Sequence, residues 1–406
     1  MGSQLPDGEP MPANGLLSEG RLPRAGLEFS AYLHVPFCTT RCGYCDFNTY
    51  TANELGGMGM DTWVEAMHRE IDLAARVLAD GPARPLATVF VGGGTPSLVP
   101  ANDLVGLLTH LESAFGLERD AEVTTEANPE SVTPEWLQGL RAGGFNRVSL
   151  GMQSARPHVL QLLERRHTPG RALAVVGWAR AAGFDDVSLD LIMGTPGESA
   201  DDFRASLEVA LSADPDHISA YSLIVEEGTR FAAKVKRGEI PMPSDDDHAD
   251  KYLLADDVLT GAGFENYEVS NWARPREGQP HRSRHNLAYW RGQDWWGFGP
   301  GAHSHVDGVR WWNVKHPRPY AAALGDARSP GAGRELLTSE QRREERVLLE
   351  LRIADGLPVE VLLPEERGRL DRWIASGHAV LRDGRVRLTL DGRLLADGIV
   401  LDLLAG

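Results

Sequence analysis

Three cysteines are the residues of this sequence whose type and spacing most directly imply chemistry. The 406-residue chain contains Cys38, Cys42 and Cys45 and no other cysteine, so three thiolates share one short loop. A cluster of four irons normally takes four thiolates, so three would leave one iron open to a small chelating ligand. Two alternatives stay open from the residues alone. One is a zinc site completed by His34 or His68, and the other is three buried thiols without a metal.

Charge and composition narrow the classes of function. The chain has 41 Lys and Arg against 58 Asp and Glu, and its net charge of −17 repels nucleic acid and anionic lipid. No apolar run is long enough to cross a membrane, and Met1 to Phe29 lacks the pattern of an export signal. We therefore expect a cytoplasmic protein whose clustered cysteines are not a disulfide framework.

Alternating strand and helix patterns are expected to position the cysteine loop. We predict six strands, at Ser30–Val35, Thr88–Val91, Glu122–Thr125, Arg147–Leu150, Asp186–Asp190 and His217–Leu223. Repeated strand, helix and strand units favour a parallel sheet that curls into a full or partial barrel, with an open doubly wound sheet as the alternative. In a barrel the functional groups gather at the carboxyl ends of the strands, and the cysteines directly follow the first strand.

Two connections from helix to strand are nearly identical in sequence. Arg141 to Leu150 and Arg180 to Leu189 each predict a helix that ends at a glycine before a buried strand begins. A weaker third copy, Leu259 to Phe264 followed by Tyr267 to Val269, predicts one more step of the same kind. Thr133 followed by Pro134 indicates the start of a helix.

Four segments are expected along the chain, in an α/β fold. Residues 1–28 read as a disordered tail, 29–265 as the partial barrel and 266–333 as an extension that holds six of the ten tryptophans. Residues 334–406 read as two or three helices followed by a hairpin around Asp383-Gly384, which predicts a small winged-helix-like module of α+β type.

The cysteine segment resembles a known family. Tyr32 to Cys45 is similar to the signature of radical S-adenosylmethionine enzymes, and specifically of the oxygen-independent coproporphyrinogen III oxidase-like family that includes the HemW group. Further blocks resemble that family in the same order. They are Gly92 to Ser97, Thr125 to Pro129, Arg147 to Ser154 and Asp190 to Gly197.

The resemblance implies a partial (βα)6 barrel with a [4Fe-4S] cluster on Cys38, Cys42 and Cys45 and S-adenosylmethionine bound beside it. It also implies the S-adenosylmethionine site, which comprises Tyr32, Tyr44, Gly93, Gly94, Thr95, Glu126, Gln153, Arg165 and Asp190. These residue types suit the task, because carboxylates bind ribose hydroxyls and a guanidinium binds a carboxylate. Each also has an ordinary structural explanation as a tight turn, packing or a helix cap.

Two features favour the HemW group, which is regarded as haem chaperones. Coproporphyrinogen dehydrogenases of this family carry a fourth cysteine where this chain has Phe47, and Arg284 to Trp290 resembles the HNxxYW motif of HemW proteins. The resemblance implies haem binding by His285, Tyr289 and Trp290, with His303 as the reserve ligand. A histidine that only bonds within an aromatic core is the alternative explanation.

Two functions of different classes are therefore carried forward. The first is a haem chaperone that binds haem and transfers it to acceptor haemoproteins, respiratory proteins among them. The second is the oxygen-independent oxidative decarboxylation of coproporphyrinogen III. A one-electron donor such as a flavodoxin or ferredoxin is the expected redox partner. Nucleic acid is excluded as a partner and membrane contact is peripheral at most, which also disfavours tRNA modification. Whether the chain is an enzyme stays open, and no catalytic residue is assigned.

Overall fold

Six parallel strands form the part of the molecule that the sequence predicts as a barrel. The computed structural model describes residues 7–17, 26–165, 168–277 and 281–405. All six predicted strands are present; five have wider bounds than predicted, and the sixth ends one residue earlier. They are β1 Phe29–Val35, β2 Leu86–Gly93, β3 Leu117–Ala127, β4 Arg147–Gln153, β5 Asp186–Met193 and β6 His217–Ser222.

The pairing of these strands defines a partial barrel. Each strand from β1 to β6 pairs in parallel with the next one along the chain. This consecutive order is that of a barrel, whereas a doubly wound sheet reverses its order part of the way across. Within the described residues β1 and β6 do not pair with each other, because their outer edges pair with strands from later in the chain.

Helices connect the six strands, and the last two helices of this part follow β6. They are α1 Met60–Leu78, α2 Ala101–Phe115, α3 Pro134–Ala142, α4 Pro157–Leu162, α5 Arg171–Ala182, α6 Ala200–Ser212, α7 Arg230–Lys236 and α8 Asp245–Gly261, with short 3₁₀ turns at Pro96–Leu98 and Pro129–Ser131. The repeated connections behave as predicted, since α3 is followed by Gly143 and α5 by Gly183. The Thr133 hydroxyl accepts the Trp136 N–H at the start of α3, which confirms the predicted cap.

The aromatic-rich segment continues the same sheet. Its elements are β7 Glu265–Glu268, β8 Asn271–Ala273, α9 Arg284–Trp290, β9 Asp294–Phe298, β10 His303–Val306, β11 Val309–Asn313, α10 Pro317–Gly325 and β12 Gly331–Leu336. β9 pairs in parallel with β1, and β10 to β12 follow as an antiparallel meander. The full sheet therefore has twelve strands among the described residues.

The third predicted helix-to-strand step is only partly present. A strand does follow α8, but β7 pairs antiparallel with β8, and β8 lies between β7 and β6. The side-chain amide of Asn266 donates to the carbonyl oxygens of Glu268 and Asn271. These bonds close a tight hairpin, so the chain returns beside β6 at once and does not add a seventh parallel strand.

The N-terminal segment differs from the predicted tail. Glu9 and Arg334 of β12 exchange two backbone hydrogen bonds, and Leu17 is buried. The prediction of disorder is wrong for residues 7–17, because the free edge of β12 offers backbone partners that the local sequence does not reveal. Residues 1–6 and 18–25 of the predicted tail lie outside the described residues.

The C-terminal module has its own small core. It consists of α11 Ser339–Glu350, β13 Leu357–Pro358, a 3₁₀ turn at Val359–Val361, α12 Pro364–Ala375, β14 Ala379–Arg382, β15 Arg385–Leu388, α13 Leu390–Leu394 and α14 Ala396–Leu404. The three strands form an antiparallel sheet in the order β13-β15-β14. Asp383 and Gly384 both have positive φ angles, as the predicted hairpin turn requires.

A buried glutamate joins the barrel to the later strands. Glu70 of α1 accepts hydrogen bonds from the Gly299 N–H at 2.8 Å, the Asn313 side-chain amide at 2.7 Å and the Tyr320 hydroxyl. Burial raises the pKa of Glu70 to about 7. The carboxyl group therefore joins the turn after β9, strand β11 and helix α10 to α1, at an energetic cost that depends on pH.

No helix among the described residues is both long enough and apolar enough to cross a membrane.

Replacing Glu70 with glutamine is expected to lower stability and to flatten its pH dependence. Because the folded pKa is about 7 against 4.5 for the ordinary group, the folded protein binds this proton more tightly. The free energy of unfolding therefore falls as pH rises through that window, by at most about 1.4 kcal/mol per pH unit from this group. Urea unfolding of wild type and Glu70→Gln from about pH 5 to about pH 8 measures the difference, and parallel curves would contradict it.

Candidate functional site

The cysteine loop leaves β1 at its carboxyl end and is fixed by backbone hydrogen bonds. The Cys38 N–H donates to the Tyr50 carbonyl at 3.0 Å, and the Tyr50 N–H donates to the Pro36 carbonyl at 2.7 Å. All three cysteines are free, and all three line one cavity of about 1530 Å³ at the mouth of the barrel. The structure thus brings together the thiols that the spacing singled out.

Polar groups from other strand ends reach the thiols. The Thr95 hydroxyl lies 3.6 Å from the Cys38 sulfur, and a guanidinium nitrogen of Arg165 lies 3.3 Å from the Cys42 sulfur. Burial raises the pKa of the Cys38 thiol and raises that of Cys45 to about 11. Metal binding has to displace these protons, and the donors from Thr95 and Arg165 stabilise the thiolate form. The set fits a thiolate-bound iron–sulfur cluster.

The zinc alternative lacks its fourth ligand. The His34 Nε2–H donates to the Asn48 carbonyl at 2.9 Å, so Nδ1 accepts from the Tyr32 hydroxyl at 3.0 Å. His68 contacts His110 at 2.8 Å between their Nδ1 atoms, on α1 and α2. Neither histidine lines the cysteine cavity, so neither completes a tetrahedral site with the thiols.

The glycines after β2 hold the cysteine loop against the barrel. The N–H groups of Gly94 and Thr95 donate to the carbonyls of Val35 and Phe37 at 2.7 and 2.8 Å. A Cβ on Gly94 would lie 2.5 Å from the Phe37 carbonyl oxygen, which leaves no room for any other residue. The close contact at Gly94 is therefore with the backbone of the loop after β1, and the contact of Gly93 and Gly94 with S-adenosylmethionine stays a prediction.

Two carboxyl groups meet beneath the cysteine loop. Glu126, near the end of β3, accepts the Gly93 N–H at 3.0 Å, and Asp190 of β5 accepts the Ser149 hydroxyl at 3.0 Å. Burial and the charge of Asp190 raise the pKa of Glu126 to about 7, and burial also raises the pKa of Asp190. Paired acceptors of this kind suit the hydroxyl groups of a ribose, which can donate to both.

Gln153 and Arg165 share one side of the cavity with Tyr44. Gln153 ends β4 with a φ of +67°, a left-handed conformation that is uncommon outside glycine. A Cβ on Gly151 would lie 2.7 Å from the Gln153 amide nitrogen and 3.0 Å from an Arg165 guanidinium nitrogen. Gly151 thus makes the space that both side chains occupy, and sequence reasoning did not single it out.

Eight of the nine residues predicted for S-adenosylmethionine line this cavity, and Tyr32 does not. The eight are Tyr44, Gly93, Gly94, Thr95, Glu126, Gln153, Arg165 and Asp190. The Tyr32 side chain points into the barrel, where its hydroxyl donates to His34 and its ring stacks on Phe90. It belongs to a second, interior cavity of about 180 Å³ that also includes Glu126 and Asp190.

The segment that resembles HNxxYW forms helix α9 at the opposite end of the barrel. The Glu122 carboxylate, on β3, accepts the backbone N–H groups of Arg284 and His285 at 2.9 and 3.0 Å. Tyr289 packs edge-on against Trp295, and Trp290 packs against a small apolar cluster with Leu287. The sequence motif therefore does not meet the cysteines.

His285 has both ring nitrogens engaged within the barrel. Thr88 donates its own hydroxyl hydrogen to Ser30, so it accepts the His285 Nδ1–H at 2.6 Å. The Tyr289 hydroxyl then donates to Nε2 at 2.8 Å, and burial lowers the pKa of His285 to about 3. Ligation of iron by His285 requires the Tyr289 bond to break and α9 to move, so it stays a prediction that this conformation does not support. His303 is exposed on β10.

Comparisons with known proteins show which sequences and structures this chain resembles. A sequence profile described as the Radical SAM superfamily matches residues 32–210. The Heme chaperone HemW of Mycobacterium tuberculosis (strain H37Rv) is 51% identical over 95% of this chain and 97% of that protein. The Heme chaperone HemW of Bacillus subtilis is 31% identical over 91% of this chain and 97% of that protein. Among solved structures, the Escherichia coli coproporphyrinogen III oxidase HemN, a radical SAM enzyme, matches with a TM-score of 0.79 at 24% identity over 95% of this chain and 91% of that one.

Alanine in place of Gly94 is expected to destabilise the protein and to weaken the cysteine site. The added Cβ meets backbone oxygen atoms that cannot rotate away, and overpacking of this kind costs about 1–3 kcal/mol. Denaturant unfolding and the iron retained per chain after anaerobic reconstitution measure the two effects. Gly106→Ala in α2 is the matched control, because nothing lies within 4 Å of its Cβ. Equal iron retention by both variants would show that the loop does not depend on Gly94.

Proposed function

The chain belongs to the HemW family of radical S-adenosylmethionine proteins, and we propose on this basis that it binds haem and transfers it to acceptor haemoproteins. The observation that carries the proposal is the identity of 51% with a protein named Heme chaperone HemW, along 95% of the present chain. The chain also spans 97% of that relative, so barrel, extension and C-terminal module are all included. Respiratory haemoproteins are the acceptors we propose, and a flavodoxin or ferredoxin is the proposed electron donor.

The residues at the mouth of the barrel fit the cofactors of the superfamily. Cys38, Cys42 and Cys45 would hold three irons of a [4Fe-4S] cluster, and S-adenosylmethionine would occupy the adjoining part of the cavity. When bound, this pair supplies one-electron chemistry at the carbon–sulfur bonds of S-adenosylmethionine. The protein contributes a cavity that restricts water and a set of donors and acceptors that fix orientation.

Individual side chains can be given tasks in holding S-adenosylmethionine. Arg165 lies against Cys42 and can bind a carboxylate at the same time, because a guanidinium has five N–H donors. Glu126 and Asp190 provide acceptors for ribose hydroxyls, and the half-buried ring of Tyr44 provides an aromatic face. The Gln153 amide, fixed by the left-handed end of β4, completes this side of the site.

Decarboxylation of coproporphyrinogen is less well supported by the residues present. Phe47 stands where a fourth cysteine is expected in the dehydrogenases, and the likeness to HemN establishes the fold alone. The described cavity lining has Arg165 and Arg171 as its only cations, whereas it has six acidic residues. Because Arg165 is already engaged by Cys42, the described lining offers too few cations to pair with the four carboxylates of coproporphyrinogen.

Two histidines are candidates for the ligand of haem iron. Ligation by His285, with Tyr289 and Trp290 packed on the macrocycle, is a proposal that needs α9 to leave the floor of the barrel. His303 offers an exposed imidazole without such a movement. Both ligands are compatible with a chaperone, because transfer requires that haem be released again.

The chaperone function predicts saturable haem binding followed by release to an acceptor. We expect the anaerobically reconstituted protein to bind haem with a defined Soret band and to load an apo-haemoprotein supplied in excess. Coproporphyrinogen III should not be converted by the same preparation with S-adenosylmethionine and a reductant. Absence of saturable haem binding, or efficient turnover of coproporphyrinogen, would overturn the proposal. Cys42→Ser tests whether haem binding needs the cluster.

A further inference from the structure

Three large apolar side chains are exposed inside the cofactor cavity. Phe47, Tyr221 and Ile224 all line the cavity that contains the cysteines, and they are 57%, 47% and 65% exposed. Isolated apolar residues on a protein surface need no explanation, but a group of them in one concave site marks a binding surface. The cavity therefore has an apolar face that the cysteines and the polar S-adenosylmethionine residues do not account for.

The apolar face is held by rigid elements. The Phe47 N–H donates to the Cys45 thiol, and its carbonyl accepts the Thr49 N–H at 2.7 Å. Tyr221 pairs with Ile192 within the parallel sheet, and the Leu223 N–H donates to the Met193 carbonyl at 2.9 Å just before Ile224. The three side chains thus come from the two ends of the parallel arc, after β1 and at the end of β6.

The size of the cavity leaves room for a second ligand. Sites that bury one drug-sized molecule measure roughly 300–1,000 Å³. The cavity measures about 1530 Å³, so S-adenosylmethionine does not fill it.

One cation in the cavity is available to an anionic ligand. Arg171, at the start of α5, lies over the ring of Trp178 with its guanidinium carbon 5.4 Å from the ring centre. Its buried Nε has no hydrogen-bond partner among the described residues, whereas Arg165 is engaged by Cys42. Arg171 lines the cavity and its guanidinium forms no hydrogen bond with another described residue, so its terminal nitrogens can bind a carboxylate.

From these observations, and resting on the proposed function, we propose that haem docks at the mouth of the barrel. One face of the macrocycle lies against Phe47, Tyr221 and Ile224, and a propionate pairs with Arg171. Haem has the required chemistry, because it is a flat apolar ring with two carboxylates. The site lies beside the cofactors and at the other end of the barrel from His285, so no histidine of α9 takes part in docking.

Haem titration of variants tests the site in the reconstituted full-length protein. Ile224→Asp places a charge on the apolar face without touching the cysteine loop, and we expect its haem affinity to fall by about tenfold or more. Leu401→Asp is the matched control, because Leu401 is 72% exposed on α14 and far along the chain from the cavity. Iron content and thermal unfolding of each variant establish that the fold and the cluster are intact.

A second comparison isolates the propionate contact. Arg171→Gln should weaken the binding of haem but leave the binding of haem dimethyl ester nearly unchanged, because the ester has no carboxylate for the guanidinium. His285→Ala should bind haem as wild type does.

The outcomes separate the site from the function. If wild type does not bind haem, the proposed function fails and the site fails with it. If wild type binds haem and Ile224→Asp and Arg171→Gln bind it equally well, the function stands and the site is rejected. Loss of binding in His285→Ala alone would likewise reject the site and place haem at the floor of the barrel. If all variants bind haem equally, haem does not occupy the apolar face, and the face is then assigned to a protein segment.

Discussion

The site depends on hydrogen bonds between the cysteine loop after β1 and the turn at the end of β2. The cysteine segment has no regular secondary structure over most of its length, so its shape comes from contacts with other parts of the chain. Two backbone hydrogen bonds from Gly94 and Thr95 bind it to the end of β2, and His34 with Asn48 binds it from below. Asn48 in turn donates to the carbonyls of Pro300 and Lys315 at 2.9 and 2.8 Å. The later strands therefore take part in shaping a site to which they contribute no ligand.

Parallel pairing then sets the rest of the site. Because β1 to β6 run in one direction and in chain order, their carboxyl ends meet at one rim, and residues distant in sequence become neighbours there. Burial at this rim has a cost, which appears as the raised pKa values of Glu126 and Asp190. Because the two carboxyl groups share one buried region, each holds a proton more tightly than an exposed carboxyl group does. Hydrogen bonds from donors such as ribose hydroxyls stabilise the ionised forms and so lower both pKa values.

The sequence predicts the features that depend on local residue patterns. It does not predict features that depend on contacts between residues far apart in the chain. The six strands and the glycine ends of α3 and α5 follow from periodicity and turn chemistry, and the cysteines follow from spacing. Tyr32 lines the interior cavity, which shares Glu126 and Asp190 with the cavity at the rim, so its contact with S-adenosylmethionine stays a prediction. The burial of His285 depends on Glu122, which lies more than a hundred residues earlier, and no local pattern shows that. The pairing of residues 7–17 and the hairpin of β7 and β8 likewise arise from free sheet edges.

The contact between Glu9 and Arg334 affects how readily the protein associates with other chains at high concentration. β12 ends the twelve-stranded sheet, and an uncovered strand edge is a template for pairing with another chain. Residues 7–17 occupy part of that edge through backbone bonds and an ion pair between Glu9 and Arg334. The N-terminal segment therefore covers part of this edge and opposes its pairing with a second chain. This role is unrelated to iron, S-adenosylmethionine or haem.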